Sequence, residues 1–549
     1  MTDVKESPTS LASVSGLQYV PELTKDVMHG ARTHGSSGDT AERTEDASKD
    51  ASHPPTHVVS MEPLQRKPES PPEKDPNIVT WDEHDQHENP RNWNHKFKLV
   101  TTVVVSLYTL LSPITSSMVA PALDKLEQDF HVHSKTIGNL MLSAQMLAFV
   151  LAPLVYGPMS ERIGRKYILN GSNLVFLLFN VGCGLARTST QMIVLRFFLG
   201  LAGCAPMAIG SGTIADLFEP EERGQAMAMY TLSPVLGPCV GPIFAGWIIQ
   251  GYGPDKWRWI FWVSTMFGAL VAVVGALVLR ETYVPVLLER KAKRLRKETG
   301  NMELHTIYVR NETLWTKLLH LLTRPGIFLA TQPVVQMTCL YQALLYGCQY
   351  LLLTEFTRAF QAAYHQPIGI ATLHYIAYLI GFLITGQIGG RMVDVIYRRL
   401  REKHGGVGKP EYKLPLLVVT GVLMPFGLLL YGWPLQYHVH WIVPDIGIVL
   451  IAAGIRGALF ICPLYLADSV TLYTASATSA AVMLRGLFAF CFPLFSPPLY
   501  RTLGQGWGNS LLALITALIG VPTPFLLYNY GAYLRSKSKY SQRGMSLMT

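Results

Sequence analysis

Gly157-Pro158-Met159-Ser160-Glu161-Arg162-Ile163-Gly164-Arg165-Lys166 lies between two apolar runs, roughly 137–157 and 167–186. Each run is close to the ~20 residues that a helix needs to cross a bilayer. A tight turn between two such helices needs small residues where backbones meet, which Gly157 and Gly164 supply. The arginines and lysine of the stretch favour the cytosolic side for that turn. The same spacing returns as Gly390-x-x-x-Asp394-x-x-x-Arg398-Arg399, again after an apolar run. A glycine, an acid four residues on and a basic pair four and five beyond it therefore occur in both halves. This repeat predicts a duplicated membrane bundle.

Composition agrees with that prediction. Of 549 residues, 49% are hydrophobic and 15% charged, against about 25% charged residues in soluble domains. The net charge of +9 does not point to nucleic acid, because the basic residues sit in short loops between apolar runs. All seven cysteines fall inside apolar runs, with no CxxC or Cys/His ligand spacing, so they read as packing residues, and no metal site or disulfide is expected.

Residues 1–97 are polar and lack sustained periodicity, which predicts a disordered cytosolic tail. With no apolar segment near Met1, no cleaved signal peptide is expected. Twelve spans follow, at roughly 98–120, 137–157, 167–186, 192–215, 225–250, 258–279, 326–354, 367–390, 414–433, 442–465, 474–498 and 508–530. They group into an N-terminal six-helix bundle over 98–280 and a C-terminal one over 326–531. A polar loop over 281–325 joins them, and 532–549 forms a short tail. Glu289 to Glu298 in the loop reads as a solvated amphipathic helix at the membrane surface. Inner loops and tail hold about 25 lysines and arginines and the outer loops about seven, which places both termini in the cytosol. The Asn311-Glu312-Thr313 sequon would then lie on the wrong face for glycosylation.

Gly157 to Lys166 resembles the loop 2–3 signature of the major facilitator superfamily, with Glu161 where Asp is usual and Met159 where Leu is usual. Residues 90–535 resemble the fungal drug:proton antiporter branch of that superfamily, and Asn89-Pro90-Arg91-Asn92-Trp93 resembles its lead-in. Trp81 and Trp93 read equally as an interfacial anchor beside the first span. The resemblance implies an all-α membrane protein of two pseudo-symmetric six-helix bundles. Arg196, in Arg196-x-x-x-Gly200-x-x-Gly203, matches a span 4 signature whose arginine is implicated in proton coupling. An arginine inside a span is otherwise expensive, and a structural role satisfying backbone carbonyls is its rival. The resemblance gathers Asp216, Glu161, Arg162 and Arg165 into a gating charge cluster. Ser233 to Pro242 resembles the span 5 antiporter signature through Gly237, Pro238 and Gly241, with Ser233 and Pro242 departing from it. Proline there kinks a helix, and glycine admits a neighbour.

In the second half, Gln336, Tyr341, Gln342, Tyr346, His374, Arg456 and Arg485 are candidates for a substrate cavity, because Tyr and Gln offer hydrogen bonds without a fixed charge. Span 1 carries no embedded carboxylate, which leaves Glu161, Asp216, Glu355, His374 or Asp468 as candidates to take up a proton. No phosphate-binding loop or enzymatic constellation is present in the sequence, so neither turnover nor a cofactor is expected. The expected function is secondary active transport by alternating access. Specifically, it is proton-coupled efflux of small amphipathic organic compounds by a monomer in the plasma membrane. The alternatives are a nutrient importer for a polyamine, sugar or organic acid, and a non-transporting receptor.

Overall fold

The computed structural model describes residues 77–219, 222–252, 257–308, 314–470 and 473–537. The tail as far as residue 76, the Asn311 sequon, Lys256 and residues 538–549 lie outside the described residues. The regular structure among them is helical, apart from one isolated bridge between Ile78 and His305.

The first six spans are His95–Met118, Lys135–Ile163, Arg165–Leu185, Ser189–Leu217, Arg223–Tyr252 and Arg258–Val278. Span 7 is Pro333–Tyr364, span 8 Ile368–Lys403, span 9 Pro415–Gln436 and span 10 Ile442–Ser469. The chain then runs helically to Ser536 and breaks at Gly504 (φ 71°, ψ −178°). Span 11 lies before that glycine and span 12 after it. Ten stretches are long and apolar enough to cross a membrane, the last of them holding spans 11 and 12 together. Span 7 is not among the ten, because Gln and Tyr dilute its hydropathy, and adding it brings the spans to twelve.

Caps and breakers set the ends. Asn94 Oδ1 accepts the Lys96 N–H to start span 1, and Thr188 does the same for Gln191 at span 4, satisfying donors that a helix start otherwise leaves unpaired. Pro333 opens span 7 after Gln332, whose extended backbone ends the preceding helix Leu314–Thr331. The expected start at 326 is therefore corrected to 333. Span 8 also runs on to Lys403 rather than stopping at 390, so Gly390, Asp394, Arg398 and Arg399 lie within a helix.

The halves repeat each other's packing. Span 1 lies on span 5, span 2 on span 4, and span 3 on spans 4 and 6. Correspondingly, span 7 lies on span 11, span 8 on span 10, and span 9 on span 10. Backbones of spans 9 and 12 also meet closely at Gly421 and Gly432. The two halves join where span 2 meets span 11 and span 5 meets span 8. At the latter contact the Gly369 N–H donates to Gln250 Oε1 at 2.8 Å.

Leu174, Leu178, Met266, Leu270 and Leu277 on spans 3 and 6 face outward, the last 81% exposed. Phe426, Leu514 and Leu518 do so on spans 9 and 12. Lipid is the solvent that tolerates so continuous an apolar band.

The lead-in to span 1 is more ordered than its composition suggests. Val79 N–H donates to the His305 carbonyl at 2.8 Å. Lys291, on the surface helix Val284–Thr299, reaches Asp82 at 2.6 Å and Asp85 at 2.8 Å. The tail boundary at 97 is thus corrected: residues 77–94 are structured. Val286, Leu288, Lys291 and Ala292 are buried while Lys293, Arg294 and Lys297 are exposed, so the surface helix is amphipathic, with one face packed and the other solvated.

Candidate functional site

The opening stretch forms a turn of one residue. Span 2 continues through Ile163, Gly164 alone breaks the helix at φ 112° and ψ 157°, and span 3 begins at Arg165. Glu281, just past span 6, fills the space beside Gly164. Its Oε1 accepts the backbone N–H groups of Arg165, Thr282 and Tyr283 at 2.8, 3.2 and 3.1 Å. A Cβ on Gly164 would lie 2.1 Å from Glu281 Oε2. Gly157, by contrast, sits within the helix with nothing near its would-be Cβ, so its assignment as a close-approach residue is corrected.

Arg165 gathers the rest of the cluster. Its Nε donates to Asp216 Oδ2 at 3.1 Å and its Nη1 to Ser160 Oγ at 3.0 Å, while the guanidinium lies 5.0 Å from the Tyr283 ring centre. Glu161 is half-buried and Arg162 exposed. The structure thus brings Arg165 and Asp216 together and adds Glu281, which the sequence reading missed. The second half carries a counterpart in which Lys413, before span 9, pairs with Asp468, ending span 10, at 2.5 Å. Glu411 receives Arg535 at 2.6 and 2.8 Å. A recess of about 430 Å³ lined by Asp394, Tyr397, Lys413 and Asp468 opens beside that pair.

Arg196 is wholly buried. Its Nη1 donates to the Thr115 carbonyl at 3.5 Å, and its Nη2 to Ser116 and Leu142 carbonyls at 3.2 and 3.4 Å and to Gln145 Oε1 at 3.0 Å. Gln145 Nε2 in turn donates to Ser112 O and Oγ. One guanidinium therefore ties spans 1, 2 and 4 together through neutral acceptors alone. The close approach depends on Gly200 and Gly203, whose Cβ atoms would lie 2.3 Å from the Gln145 carbonyl and 2.7 Å from Ser112 Oγ. Gln145 escaped the sequence reading, although an uncharged amide within an apolar run is the signal for such a partner.

The span 5 glycines work the same way. A Cβ on Gly237 would meet Pro113 at 2.4 Å, and one on Gly241 would meet Ser117 Oγ at 2.4 Å. Ser117 Oγ donates to the Gly237 carbonyl at 3.1 Å. Pro238, next to Gly237, is buried, and its ring takes the place of a backbone donor.

The cavity candidates divide. Gln336 donates to the Leu329 carbonyl at 2.8 Å and so fastens the start of span 7. Tyr341 is buried against Gly421 and Gly520 of spans 9 and 12. Gln342 is buried and donates to the Thr338 carbonyl in its own helix at 3.4 Å. His374 Nδ1 lies 2.8 Å from Asp445, its Nε2 lies 2.9 Å from Gln366, and its ring stacks on Phe360. Gln336, Gln342 and His374 make their described hydrogen bonds, and Tyr341 its described packing, within the second half, while buried Gln342 Oε1 has no hydrogen-bond partner. Tyr346, Arg456 and Arg485 remain half-buried. Tyr346 stands 5.3 Å from Tyr350, and Arg485 lies 5.6 Å from the Tyr346 ring.

At the end of the bundle away from the Gly164 turn, charges cross between halves. Arg358 of span 7 reaches Asp124 at 2.8 Å and Glu127 at 2.9 Å, both on the short helix Leu123–Asp129. Lys135 of span 2 reaches the same two acids at 2.8 and 2.6 Å. Nearby, Asn139 of span 2 donates to Ser496 of span 11, which donates to Glu355 of span 7 at 2.7 Å. Burial acts to raise the Asp124 carboxyl, but Arg358 and Lys135 outweigh it and hold it below the ordinary value of 3.8. A depressed carboxylate contributes stability above its unfolded pKa and loses it as pH falls through the folded one. The latch is therefore expected to hold from neutral pH to about pH 5. Hydrogen exchange of the peptides around 124–135 and 355–364, corrected for intrinsic rates, should stay constant over that range and rise in Arg358→Ala. Equal protection in variant and parent would show that these charges do not close that end.

Two packed six-span halves, a one-residue turn at Gly164 and a buried span 4 arginine define a membrane transporter of the major facilitator type. The Major Facilitator Superfamily model matches residues 105–493, and the chain belongs to that superfamily. It is 41% identical over 469 residues to the efflux pump vrtL of Penicillium aethiopicum, covering 85% of this chain and 92% of that one. The efflux pump radE of Floropilus chiversii is also 41% identical, with 85% and 86% covered. The xylose transporter XylE from E. coli, in a partially occluded inward-open conformation, superposes with a TM-score of 0.59 at 15% identity. That match spans 79% of this chain and 98% of the transporter. At that identity the likeness is one of fold.

Proposed function

We propose that the chain exports small amphipathic organic compounds, acting as a monomer that alternates between states open to either side and is driven by protons. Both termini lie in the cytosol, the Gly164 turn faces inward, and the membrane is the plasma membrane. The observation that carries the reading is the seam of Gly237 and Gly241 against Pro113 to Ser117, built from the signature that resembles that of antiporters. The efflux pumps at 41% identity support the same direction. Charges that cross between the halves at the far end suit a carrier, since they can hold that end shut while the other opens. Asp216, paired with Arg165 at the turn end, is the acid that proton uptake would release from its partner.

Deleting the gene and challenging the strain with a panel of toxic aromatic compounds tests this reading. Intracellular retention should rise several-fold and fall again when the chain is restored. Loss of growth on a single nutrient, with retention unchanged, would instead make the chain an importer.

A further inference from the structure

Three arginines inside the spans lack a carboxylate partner among the described residues. Arg196 is buried among neutral acceptors only. Arg485, on span 11, is half-buried, and its one described contact is the face of Tyr346. Arg456, on span 10, is half-buried beside Gly386, where nothing else comes within 4 Å of the would-be Cβ. Neither Arg456 nor Arg485 has an ion pair or hydrogen bond among the described residues. The acids lie elsewhere. Asp124, Glu127 and Asp445 pair at the far end, and Asp216, Glu281, Glu411 and Asp468 at the turn end. Glu355 is the described acid nearest the middle of a span, and it accepts from Ser496 toward the far end.

Two of these arginines are connected across the halves. Arg196 holds the Ser116 carbonyl, Ser116 Oγ lies 3.5 Å from Tyr350 Oη, Tyr350 contacts Tyr346, and Tyr346 carries Arg485. A guanidinium removed from bulk water normally acquires a carboxylate, because desolvation of an unpaired charge is unfavourable. A transporter can leave that partner to its cargo. Arg485 keeps its planar fork available for two parallel hydrogen bonds to a carboxylate. The rings of Tyr346 and Tyr350 offer a flat apolar surface and phenolic donors beside it. The same fixed positive potential repels an ammonium group.

Resting on the transport reading, we infer that the cargo is an organic anion, an aromatic or amphipathic carboxylate or acidic phenol, whose charged group is taken by Arg485 beside Tyr346 and Tyr350. Arg196, tied to Tyr350 through Ser116, contributes its field without touching the cargo.

The test uses the full chain in lipid nanodiscs and matched probes on several aromatic scaffolds: for each, a carboxylic acid, its methyl ester and the corresponding amine, beginning with the naphthalene series. Acids should bind at least about tenfold more tightly than their esters, and amines most weakly. Arg485→Gln should remove about tenfold in acid affinity and leave ester affinity unchanged, whereas Arg485→Lys should keep part of the acid preference. An unchanged ester affinity and melting temperature show that the variant is folded. Should Arg485→Gln fail to fold, Arg485→Lys, for which a smaller loss of acid affinity is expected, serves as the second variant. Equal affinity for acid and ester, preference for the amine, or acid binding indifferent to both substitutions would overturn the inference. Counterflow of the same probes in proteoliposomes reads the transport proposal separately. Ester or amine movement without acid movement would end the anion assignment and leave transport standing. Acid binding without movement of any probe would do the reverse.

Discussion

The Gly164→Ala variant is expected to lose transport and to melt several degrees below the parent protein. At φ 112° and ψ 157° the backbone occupies a region that is essentially open only to glycine, and a side chain there costs about 1–3 kcal/mol. The added methyl would also press on Glu281, whose Oε1 collects three backbone N–H groups where spans 2, 3 and 6 converge. Displacing that carboxylate leaves buried donors unpaired, at about 1–3 kcal/mol each. Gly157→Ala is the matched control. It lies seven residues earlier on the same span with open space around it, and alanine in a helix interior is favoured over glycine by about 0.5–1 kcal/mol. Differential scanning fluorimetry of both purified variants, with flux measured in proteoliposomes, checks the pair. Parental melting and flux in Gly164→Ala would mean that the turn yields easily and that Glu281 does not brace it.

Arg196→Ala is expected to abolish flux. The substitution removes four charge-assisted contacts linking spans 1, 2 and 4, and hydrogen bonds to a charged group contribute about 1.5–3 kcal/mol each. It also leaves a cavity beneath Gln145. Arg196→Lys separates two roles for this residue. An ammonium keeps the charge but cannot reproduce a planar fork directed at three carbonyls and an amide. If charge alone matters, the lysine variant retains flux; if the bracing matters, it loses flux and melting temperature together. The geometry favours bracing, because every acceptor is neutral. Normal flux in Arg196→Ala would remove the residue from the mechanism.

The spans were legible because lipid imposes a length and an apolar composition that few other environments demand. The reading slipped where that signal was diluted. Span 7 began late because the apolar helix Leu314–Thr331 precedes it, and its own Gln and Tyr residues weaken its hydropathy. The site was legible in outline through glycines at fixed spacing, since Gly164, Gly200, Gly237 and Gly241 all stand where a Cβ would collide. Their partners were not legible. Glu281 acts on Gly164, Gln145 on Arg196 and Lys413 on Asp468 through contacts that join different spans, and no local pattern marks those pairings. Tyr341 and His374 were ambiguous for a related reason: a polar group inside a span suits a cavity or a satisfied core equally well until its neighbours are known.

The salt-bridged strap ahead of span 1 bears on how the chain can be cut and labelled. Lys291 is 3% exposed and takes both of its carboxylates from residues 82 and 85. A shortened chain starting at the first span would strand that ammonium in a half-dry niche on the helix that bridges the two bundles. Fluorescent reporters and affinity handles therefore belong upstream of residue 77.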